Sequence, residues 1–429
     1  MIDILFIENS VGLSGSTMSL CTLLNYLDSD RFEAHIVLSQ FDQETYLLGH
    51  TRRPGHLTVI APRRSFKQAA FVQRTLDRFG NRRPRLHRLV LQLASLLDVV
   101  VVTLPYAWRL YRWAKGRKIK LIHQNNGFDL GSLILSRILR VPLVAYQRGD
   151  EWNSPAVRWL ARGVRHYIAN SATTRASLTS LRIPSGRISV IYPPLDLDAF
   201  RLERDSAVMR STFGVSPSSR CFGVLGMLLP WKGHTVFLEA AKRVLETVPD
   251  TLAFVIGAAP PRGKPYEQEL RALAQNLGIA DRVIFTGFRP DVPEVLQLLD
   301  VVAHTSIAPE PFGRVIVEAM AMKRPVIATG PGGPTEIIDD GRTGFLVAPG
   351  DVEALADRLI TLLTNPSLAE KIAEAGCSEV RKRFSAETHS RRVQQVYERT
   401  LRSRRERRAA RRRPSSASVA DQIHKEADR

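Results

Sequence analysis

The strongest constraint in this sequence is the regular alternation of short apolar segments with segments of helical periodicity. Residues 2–7 are predicted to form the first strand, and a loop of small residues at 12–17 and a helical pattern over 18–27 follow it. The same order recurs along the first half, with apolar segments at 35–38, 120–123, 142–146 and 166–170. Because parallel strands need a crossover between them, this order predicts a doubly wound parallel sheet.

The alternation starts again after residue 200, which indicates a second sheet. Strands are predicted at 221–226, 251–256, 282–285, 301–304, 326–328 and 345–347. Helices are predicted at 232–248, 266–277, 292–299, 313–322 and 352–363. The sequence therefore predicts an α/β protein of two Rossmann-like doubly wound domains, 1–195 and 206–401, with a linker at 196–205 that follows the proline pair at 193–194. Ligands of such sheets bind at the carboxyl ends of the strands, which here face the cleft between the domains.

The charge of the chain is concentrated in two segments. Sixty-one Lys and Arg against forty-two Asp and Glu give a net charge of +19, which is typical of partners such as nucleic acid or membranes. Residues 52–88 hold eleven basic side chains and one acid, and residues 402–413 hold eight Arg and one Glu. The second segment lacks aromatic residues that could stack on bases, so no specific nucleic-acid partner is expected. We predict that the Arg-rich tail, 402–429, is disordered.

The apolar segment 89–104 follows the first basic segment. It contains Asp98 and is shorter than the ~20 residues that a membrane-spanning helix needs. Aromatic and basic residues alternate directly after it, at 106–118, as they do at membrane interfaces. Residues 52–118 are therefore a candidate for contact with an anionic membrane surface. In the alternative interpretation, residues 99–102 form a buried strand and the basic residues are a solvated face.

Cysteine and histidine patterns give no sign of a metal or a disulfide. The three cysteines are far apart and form no C-x-x-C pair, which suits a reducing cytosol, and no histidine pair has ligand spacing. The first residues resemble a strand more than a secretion leader, so a cytoplasmic location is expected. The glycines at 257 and 263 are separated by five residues, where a P-loop needs four.

Residues 309–345 contain the most specific pattern in the chain. Glu310 lies in a loop just after a predicted strand, so its carboxylate is expected to face the cleft. The helix that follows opens with three N–H groups that can hold a phosphate, helped by the helix dipole: those of Gly313, Arg314 and Val315.

Glu318 lies in that same helix and can accept two hydrogen bonds from a ribose diol. Gly332 and Gly333 precede another predicted helix and suggest a second backbone-amide anion site. Two carboxylates and two anion-binding helix starts suit a nucleoside diphosphate that carries a polyhydroxyl group. Otherwise both glutamates would be ordinary solvated charges.

The motifs of this half resemble those of the group 1 (family 4) glycosyltransferases, which have the GT-B fold. Glu310 and Glu318 match the family's E-x7-E signature, and the run from Gly332 to Glu336 matches the glycine-rich loop that follows it. Residues 226–233 match the family's Lys-Gly element, and the first half matches in its loop at 12–15 and its general layout.

The resemblance implies a retaining transfer of a sugar from a nucleotide-sugar donor, with no metal and no other cofactor. It implies that Lys232 and the amides of residues 313–315 contact the diphosphate. Glu318 would hold the ribose and Glu310 the hydroxyls of the donor sugar. The backbone near Phe288 would contact the base, and Gly15 would let the first loop approach the phosphates and the acceptor.

Two positions depart from the family pattern. Met227 stands where the family usually has an arginine, which removes half of a cationic clamp. The first half also lacks the histidine usually found after the strand at 143–146, and Arg148 lies near that place. Arg148 either supplies the missing positive charge or pairs with Asp150. The expected catalytic residues are thus Glu310, Lys232 and Arg148.

The sequence therefore predicts a glycosyltransferase that moves a hexose from a UDP-sugar or GDP-mannose to a glycan or lipid-linked acceptor. Its expected role is bacterial surface polysaccharide or glycolipid synthesis, in the cytoplasm at the inner face of the cell membrane. A nucleotide-sugar epimerase on the same fold is one alternative, although the first half shows no convincing acid and base pair for it. A polyanion-binding protein that uses the two basic segments is the other.

Overall fold

The computed structural model describes residues 1–10, 14–53, 55–61, 94, 97–149, 153–200, 206–260 and 264–412, with the backbone alone at 206, 264 and 403–412. Within these ranges the chain forms two parallel sheets with helices on both faces. The predicted α/β class and the two Rossmann-like domains are confirmed.

The first sheet has seven described strands in the order β3-β2-β1-β4-β5-β6-β7. These are β1 Ile2–Glu8, β2 Phe32–Leu38, β3 His56–Val59, β4 Leu121–Gln124, β5 Leu143–Gln147, β6 His166–Ala169 and β7 Ile188–Val190. Strand pairing is parallel throughout, and the central strands are buried on both faces, as their nearly continuous apolar runs predict. Strands β3 and β7 at the edges were not predicted, because they are short and their sequences are partly polar.

Six described helices cover this sheet. They are α1 Gly15–Asn25, α2 Phe41–His50, α3 Leu104–Ala114, α4 Leu130–Ile138, α5 Pro155–Ala161 and α6 Ala172–Ser180. Asp129, Ser154 and Ser171 cap the last three by accepting a hydrogen bond from the third helical amide.

The second sheet has six described strands in the order β10-β9-β8-β11-β12-β13. These are β8 Arg220–Leu225, β9 Thr251–Ile256, β10 Val283–Gly287, β11 Val301–His304, β12 Val326–Thr329 and β13 Phe345–Val347. The helices are α7 Ser206–Thr212, α8 His234–Thr247, α9 Lys264–Asn276, α10 Val292–Leu298, α11 Arg314–Ala321, α12 Pro334–Ile337, α13 Val352–Thr364, α14 Pro366–Arg383 and α15 Ala386–Arg412. Every strand predicted in this half is present to within a few residues.

The segment around residue 100 is helical, so the alternative prediction of a buried strand at 99–102 is wrong. Asp98–Thr103 forms a π-helical turn that continues directly into α3. The valines of this turn are only half-buried or exposed, so the segment does not lie inside the sheet. Residues 62–93 of the basic and apolar segments lie outside the described residues.

The last helix, α15, returns to the first domain. Its Val393, Val396 and Tyr397 pack into the apolar core beneath β1, and the Tyr397 hydroxyl lies 2.8 Å from Nδ1 of His123 on β4. Residues 386–401, which the sequence assigned to the second domain, therefore complete the core of the first. The helix also continues to Arg412, so the predicted disorder from residue 402 is wrong for 402–412, and 413–429 lie outside the described residues. None of the described helices is both long enough and apolar enough to cross a bilayer.

Candidate active site

Three loops of the second domain meet at the carboxyl ends of adjacent strands. They follow β8, β11 and β12, the central part of the second sheet. Lys232 on the first loop pairs with Glu310 on the second, and the amide of Gly333 on the third donates to the carbonyl of Glu310 at 2.7 Å. Glu310 is thus the residue on which all three loops converge.

The carboxylate of Glu310 is buried, and one of its oxygens has three described polar contacts. Its Oε2 accepts from Lys232 Nζ, lies 3.2 Å from His304 Nε2 and accepts from Ser306 Oγ at 3.1 Å. Burial by itself raises the pKa of this carboxyl, but the hydrogen bond from His304 and the charge of Lys232 outweigh it and lower the pKa to about 2. Glu310 is therefore a carboxylate at neutral pH. Sequence analysis missed His304 and Ser306; their signal is that polar side chains end the buried strand β11.

The position of Lys232 depends on the next residue, Gly233, where a side chain would collide with the backbone of a neighbouring loop. A 3-10 turn, Pro230–Lys232, ends at Gly233, whose φ is +69°. A Cβ on Gly233 would lie 1.9 Å from the carbonyl oxygen of Thr305, and the Thr305 hydroxyl donates to the carbonyl of Lys232 at 3.0 Å. The Lys232 ammonium lies 4.2 Å from the ring centroid of Trp231 and keeps part of its surface exposed. An ammonium has three donors, so it can bind a second anion besides Glu310.

Helix α11 begins one residue later than predicted. Gly313 has a φ of +96° and precedes the first helical residue, Arg314. The first amides of a helix have no acceptor within the helix, so those of Arg314 and Val315 can receive an anion together with the dipole of this eight-residue helix. The predicted phosphate cradle is therefore geometrically possible here.

The side chain of Arg314 crosses to the first domain. Its Nε and Nη2 both donate to Oε1 of Glu318, at 3.1 and 2.8 Å. Its Nη1 donates to the carbonyl of Gly15 and to Oγ of Ser19, both at 3.1 Å. The E-x7-E helix thus touches the start of α1.

Gly333 allows two loops of the site to touch. A Cβ on Gly333 would lie 2.2 Å from the carbonyl oxygen of Phe312, and one on Gly332, whose φ is +118°, would lie 2.5 Å from that of Glu310. Both glycines are required by close backbone approach.

Most backbone amides near the second predicted anion site, at Gly332 and Gly333, already have acceptors. The amide of Gly333 already has a partner, and Pro334 has no N–H group. The amides of Thr335 and Glu336 donate to the carbonyls of Gly332 and Gly333, at 3.2 and 3.0 Å. A glycine pair before a helix fits an anion site and a close backbone approach equally well in sequence, so the anion site stays a prediction.

Arg148 lies on the first domain's side of the cleft, where its side chain is held by hydrogen bonds to a neighbouring loop. Its Nε and Nη2 donate to the carbonyl and Oδ1 of Asn125, at 2.9 and 3.0 Å, and its guanidinium carbon lies 4.0 Å from the ring centroid of Tyr146. The side-chain Nδ2 of Asn125 donates in turn to the carboxylate of Glu8 and to the carbonyl of Ser16. Burial lowers the pKa of the Arg148 guanidinium from its usual high value. Asp150, the other predicted partner of Arg148, lies outside the described residues.

Glu8 and Asn125 are site residues that sequence analysis did not select. Glu8 is fully buried at the end of β1, where Oε1 accepts from the amide of Ser10 at 2.9 Å. A buried acid that ends an apolar strand was the available signal. Gly12 lies outside the described residues, whereas Gly15 is described at the start of α1.

The remaining two residues considered in the sequence analysis, Phe288 and Met227, are largely exposed. Phe288 follows β10 with 64% of its surface exposed, and Met227 follows β8 with 52% exposed. Neither touches Glu310 or Lys232 through a described hydrogen bond or ion pair. Across the described residues, no three His, Cys, Asp or Glu side chains are grouped to hold a metal ion.

Glu336 makes a second connection between the domains. Its carboxylate accepts from the amides of Ala172 and Thr173 at the start of α6, at 2.7 and 3.0 Å, and from the Tyr192 hydroxyl at 3.2 Å. A carboxylate at a helix N-terminus is stabilised by the helix dipole. The two domains are therefore connected through Glu336 as well as through Arg314.

Two family models match the chain, one in each domain. The model described as "Glycosyl transferases group 1" matches residues 209–378, and the one described as "Glycosyltransferase Family 4" matches residues 13–199. Together they cover most of both domains, although not the first strand, β1, and they include the loops that carry Lys232, Glu310 and Gly333.

Individual relatives agree with the models. The lipopolysaccharide core biosynthesis mannosyltransferase LpsB of Rhizobium meliloti is 28% identical over 306 residues, 68% of this chain and 83% of LpsB. A D-inositol 3-phosphate glycosyltransferase of Corynebacterium urealyticum is 34% identical over 217 residues, which is 49% of this chain and about half, 51%, of that enzyme.

Among solved structures, Anabaena Alr3699/HepE in complex with UDP and glucose is 26% identical and superimposes with a TM-score of 0.74. The match covers 93% of this chain and 100% of HepE. The models, the relatives and this fold confirm the resemblance drawn from the E-x7-E motif. The chain belongs to the group 1 (family 4) glycosyltransferases and is an enzyme of the GT-B fold.

Proposed function

We propose that this enzyme is a retaining, metal-independent glycosyltransferase that uses UDP-hexose or GDP-mannose as donor. The acceptor is a glycan or a lipid-linked glycan, and the product serves bacterial surface polysaccharide or glycolipid synthesis. The observation that carries the proposal is the buried carboxylate of Glu310, which is held by Lys232 and His304 beside the start of α11. The names of LpsB, a lipopolysaccharide mannosyltransferase, and of the HepE complex with UDP-glucose support the range of donors and acceptors.

Each residue of the proposed mechanism acts mainly through charge. The Lys232 ammonium and the amides of Arg314 and Val315 stabilise the leaving diphosphate, whose negative charge grows as the glycosidic bond breaks. Glu310 orients the hydroxyls of the donor sugar, and Glu318 accepts from the ribose. The family mechanism leaves deprotonation of the acceptor to a donor phosphate oxygen on the same face.

The direct test is a binding and transfer screen with the purified full chain. Calorimetry with UDP, GDP, UDP-glucose and GDP-mannose, each with magnesium and with EDTA, is expected to select one nucleotide and to give equal affinities under both conditions. Transfer to candidate glycan and lipid-linked acceptors, followed by NMR of the anomeric linkage, then tests retention. Failure to bind any of these nucleotides would overturn the proposal, and binding that requires magnesium would overturn its metal-independent part.

Replacing Lys232 by alanine is expected to weaken binding of the selected nucleoside diphosphate by about tenfold or more. A hydrogen bond to a charged group contributes ~1.5–3 kcal/mol, and Met227 offers no cation to replace it. Met227→Arg is the matched gain-of-charge variant, since this side chain is largely exposed and has room for a guanidinium. It should bind the nucleotide at least as tightly as the parent. Unchanged affinity in Lys232→Ala would place the diphosphate contact at Arg148 or Arg314.

We also propose that the helical segment around α3 contacts an anionic membrane. Four apolar side chains recur along it every three or four residues and are about half exposed: Leu97 48%, Val100 53%, Leu104 45% and Trp108 55%. The guanidinium of Arg112 lies 4.8 Å from the ring centroid of Trp108. A basic and an amphipathic side chain therefore lie next to each other on this segment. Basic residues near an anionic leaflet contribute ~1 kcal/mol each, and exposed apolar side chains add burial.

Liposome sedimentation tests this surface. The parent is expected to pellet with phosphatidylglycerol vesicles at low salt and to be released at high salt, because the basic part of the attraction is screened. Trp108→Ser should reduce the bound fraction several-fold. Trp159→Ser is the control, because Trp159 is 62% exposed on another helix, α5. Equal binding by both variants, or no binding by the parent, would contradict the proposal.

A further inference from the structure

Arg314 connects the carboxylate of Glu318 with the start of α1 in the other domain. Two of its nitrogens donate to a single oxygen, Oε1 of Glu318, and the third donates to Gly15 and Ser19. The side chains of Arg314 and Glu318 are only 24% and 10% exposed, so water screens this pair little. One guanidinium thus engages all three of its nitrogens, two within α11 and one across the cleft.

The stability of α11 does not explain an arginine at this position. Arg314 is the first helical residue, where the helix dipole disfavours a positive charge. An arginine placed before a glutamate at i,i+4 is also the less favourable orientation of such a pair. Its positive charge also acts on Arg148, since it adds to the effect of burial in lowering the pKa of that guanidinium. A positive charge at residue 314 is therefore unfavourable for the helix itself, and contacts outside the helix must explain the arginine.

Gly15 permits the contact. A Cβ on Gly15 would lie 2.8 Å from Cδ of Arg314, closer than side-chain atoms normally approach. The glycine that resembles the family's first-loop glycine therefore also makes room for the arginine of the opposite domain.

We infer that Arg314 is a positioning residue that couples ribose recognition by Glu318 to the placement of α1. The inference rests on the proposed function, in which Glu318 accepts hydrogen bonds from the ribose. Both arginine donors occupy Oε1, and no described residue donates to Oε2 of Glu318. A ribose hydroxyl therefore meets a carboxylate whose orientation is fixed in advance. The same guanidinium holds the turn that begins α1, at the edge where the phosphates and the acceptor are expected.

The coupling can be tested by comparing two nucleotides. Affinities are measured by calorimetry for UDP or GDP, whichever the parent binds, and for its 2′,3′-dideoxy analogue, which lacks the diol. Arg314→Met is expected to weaken binding of the ribonucleotide by about tenfold and binding of the dideoxy nucleotide much less, because only the ribonucleotide has the hydroxyls that Glu318 accepts from. If Arg314 only stabilised the helix or the fold, its replacement would reduce the affinity for both nucleotides equally.

Two further variants keep the test decisive. Arg314→Lys retains the charge but cannot make the forked contact, so it should show the same selective loss if Arg314→Met does not fold. Ser19→Ala removes one contact to the first domain and leaves the pair with Glu318, so it should preserve the preference for the ribonucleotide. Equal losses for both nucleotides, or no loss, in the folded arginine variants would overturn the inference. A parent that binds neither UDP nor GDP would instead overturn the proposed function on which it rests.

Discussion

Glu310→Gln is expected to lower kcat by about ten- to hundredfold while the protein remains folded. The amide keeps the shape of the side chain but removes the charge that Lys232, His304 and Ser306 converge upon. Loss of one charged hydrogen bond costs ~1.5–3 kcal/mol, which corresponds to this range of rates. Initial rates of sugar transfer at saturating donor, together with a circular dichroism spectrum, provide the measurement.

Two other glutamates serve as comparisons. Glu318→Gln should also reduce turnover, since Glu318 lies on the helix that Glu310 precedes. Glu353→Gln should leave kcat unchanged, because Glu353 is an exposed partner of Arg243 far along the chain and surface pairs contribute little. Parental kinetics in both Glu310→Gln and Glu318→Gln would refute the assignment of the donor site to this loop and helix.

Gly333→Ala should lower the thermal midpoint of the second domain by roughly 2–12 °C. The added methyl group would meet backbone atoms of Phe312 at 2.2, 2.3 and 2.5 Å, and backbone cannot rotate away as a side chain can. Forcing atoms into such a contact costs ~1–3 kcal/mol or more, and a domain of this size loses ~2–4 °C per kcal/mol. Differential scanning calorimetry of the full chain measures the shift.

Gly186→Ala is the matched control, since no heavy atom lies within 4 Å of the position of its Cβ. Its midpoint should stay within a degree or so of the parent, as is usual for surface substitutions. Equal midpoints for Gly333→Ala and the parent would mean that the loops after β11 and β12 separate easily and do not fix Glu310.

The sequence predicts the second domain well because its signals are local. The buried strands β8 to β13 and the helices between them show up as apolar periodicity within a few residues of where they lie. Glu310 was found because loops at the carboxyl ends of parallel strands face the cleft, whereas Lys232 was found because residues 226–233 resemble the family's Lys-Gly element. Their direct pairing follows from the strand order, in which β8 and β11 are neighbours.

Features that depend on distant parts of the chain were not accessible in this way. The network of Glu8, Asn125 and Arg148 joins three strands whose order no local pattern reveals. Sequence analysis predicted no helix at α15, and a local pattern there could not show which of the two sheets its buried face meets. The π-helical turn at Asp98–Thr103 was ambiguous for a related reason, since four consecutive valines fit a strand and a helix equally well.

The return of α15 gives the molecule a mechanical property. The chain passes between the domains once near Leu195 and again near Ser385, and these two passages lie side by side, with the amide of Leu195 donating to the carbonyl of Phe384 at 2.9 Å. A single chain crossing would allow the domains to twist relative to each other, whereas two adjoining crossings define one axis between them. We therefore expect any relative rotation of the domains to occur about the line through these two crossings, so that Lys232 and Glu310 keep facing the same side of the first domain.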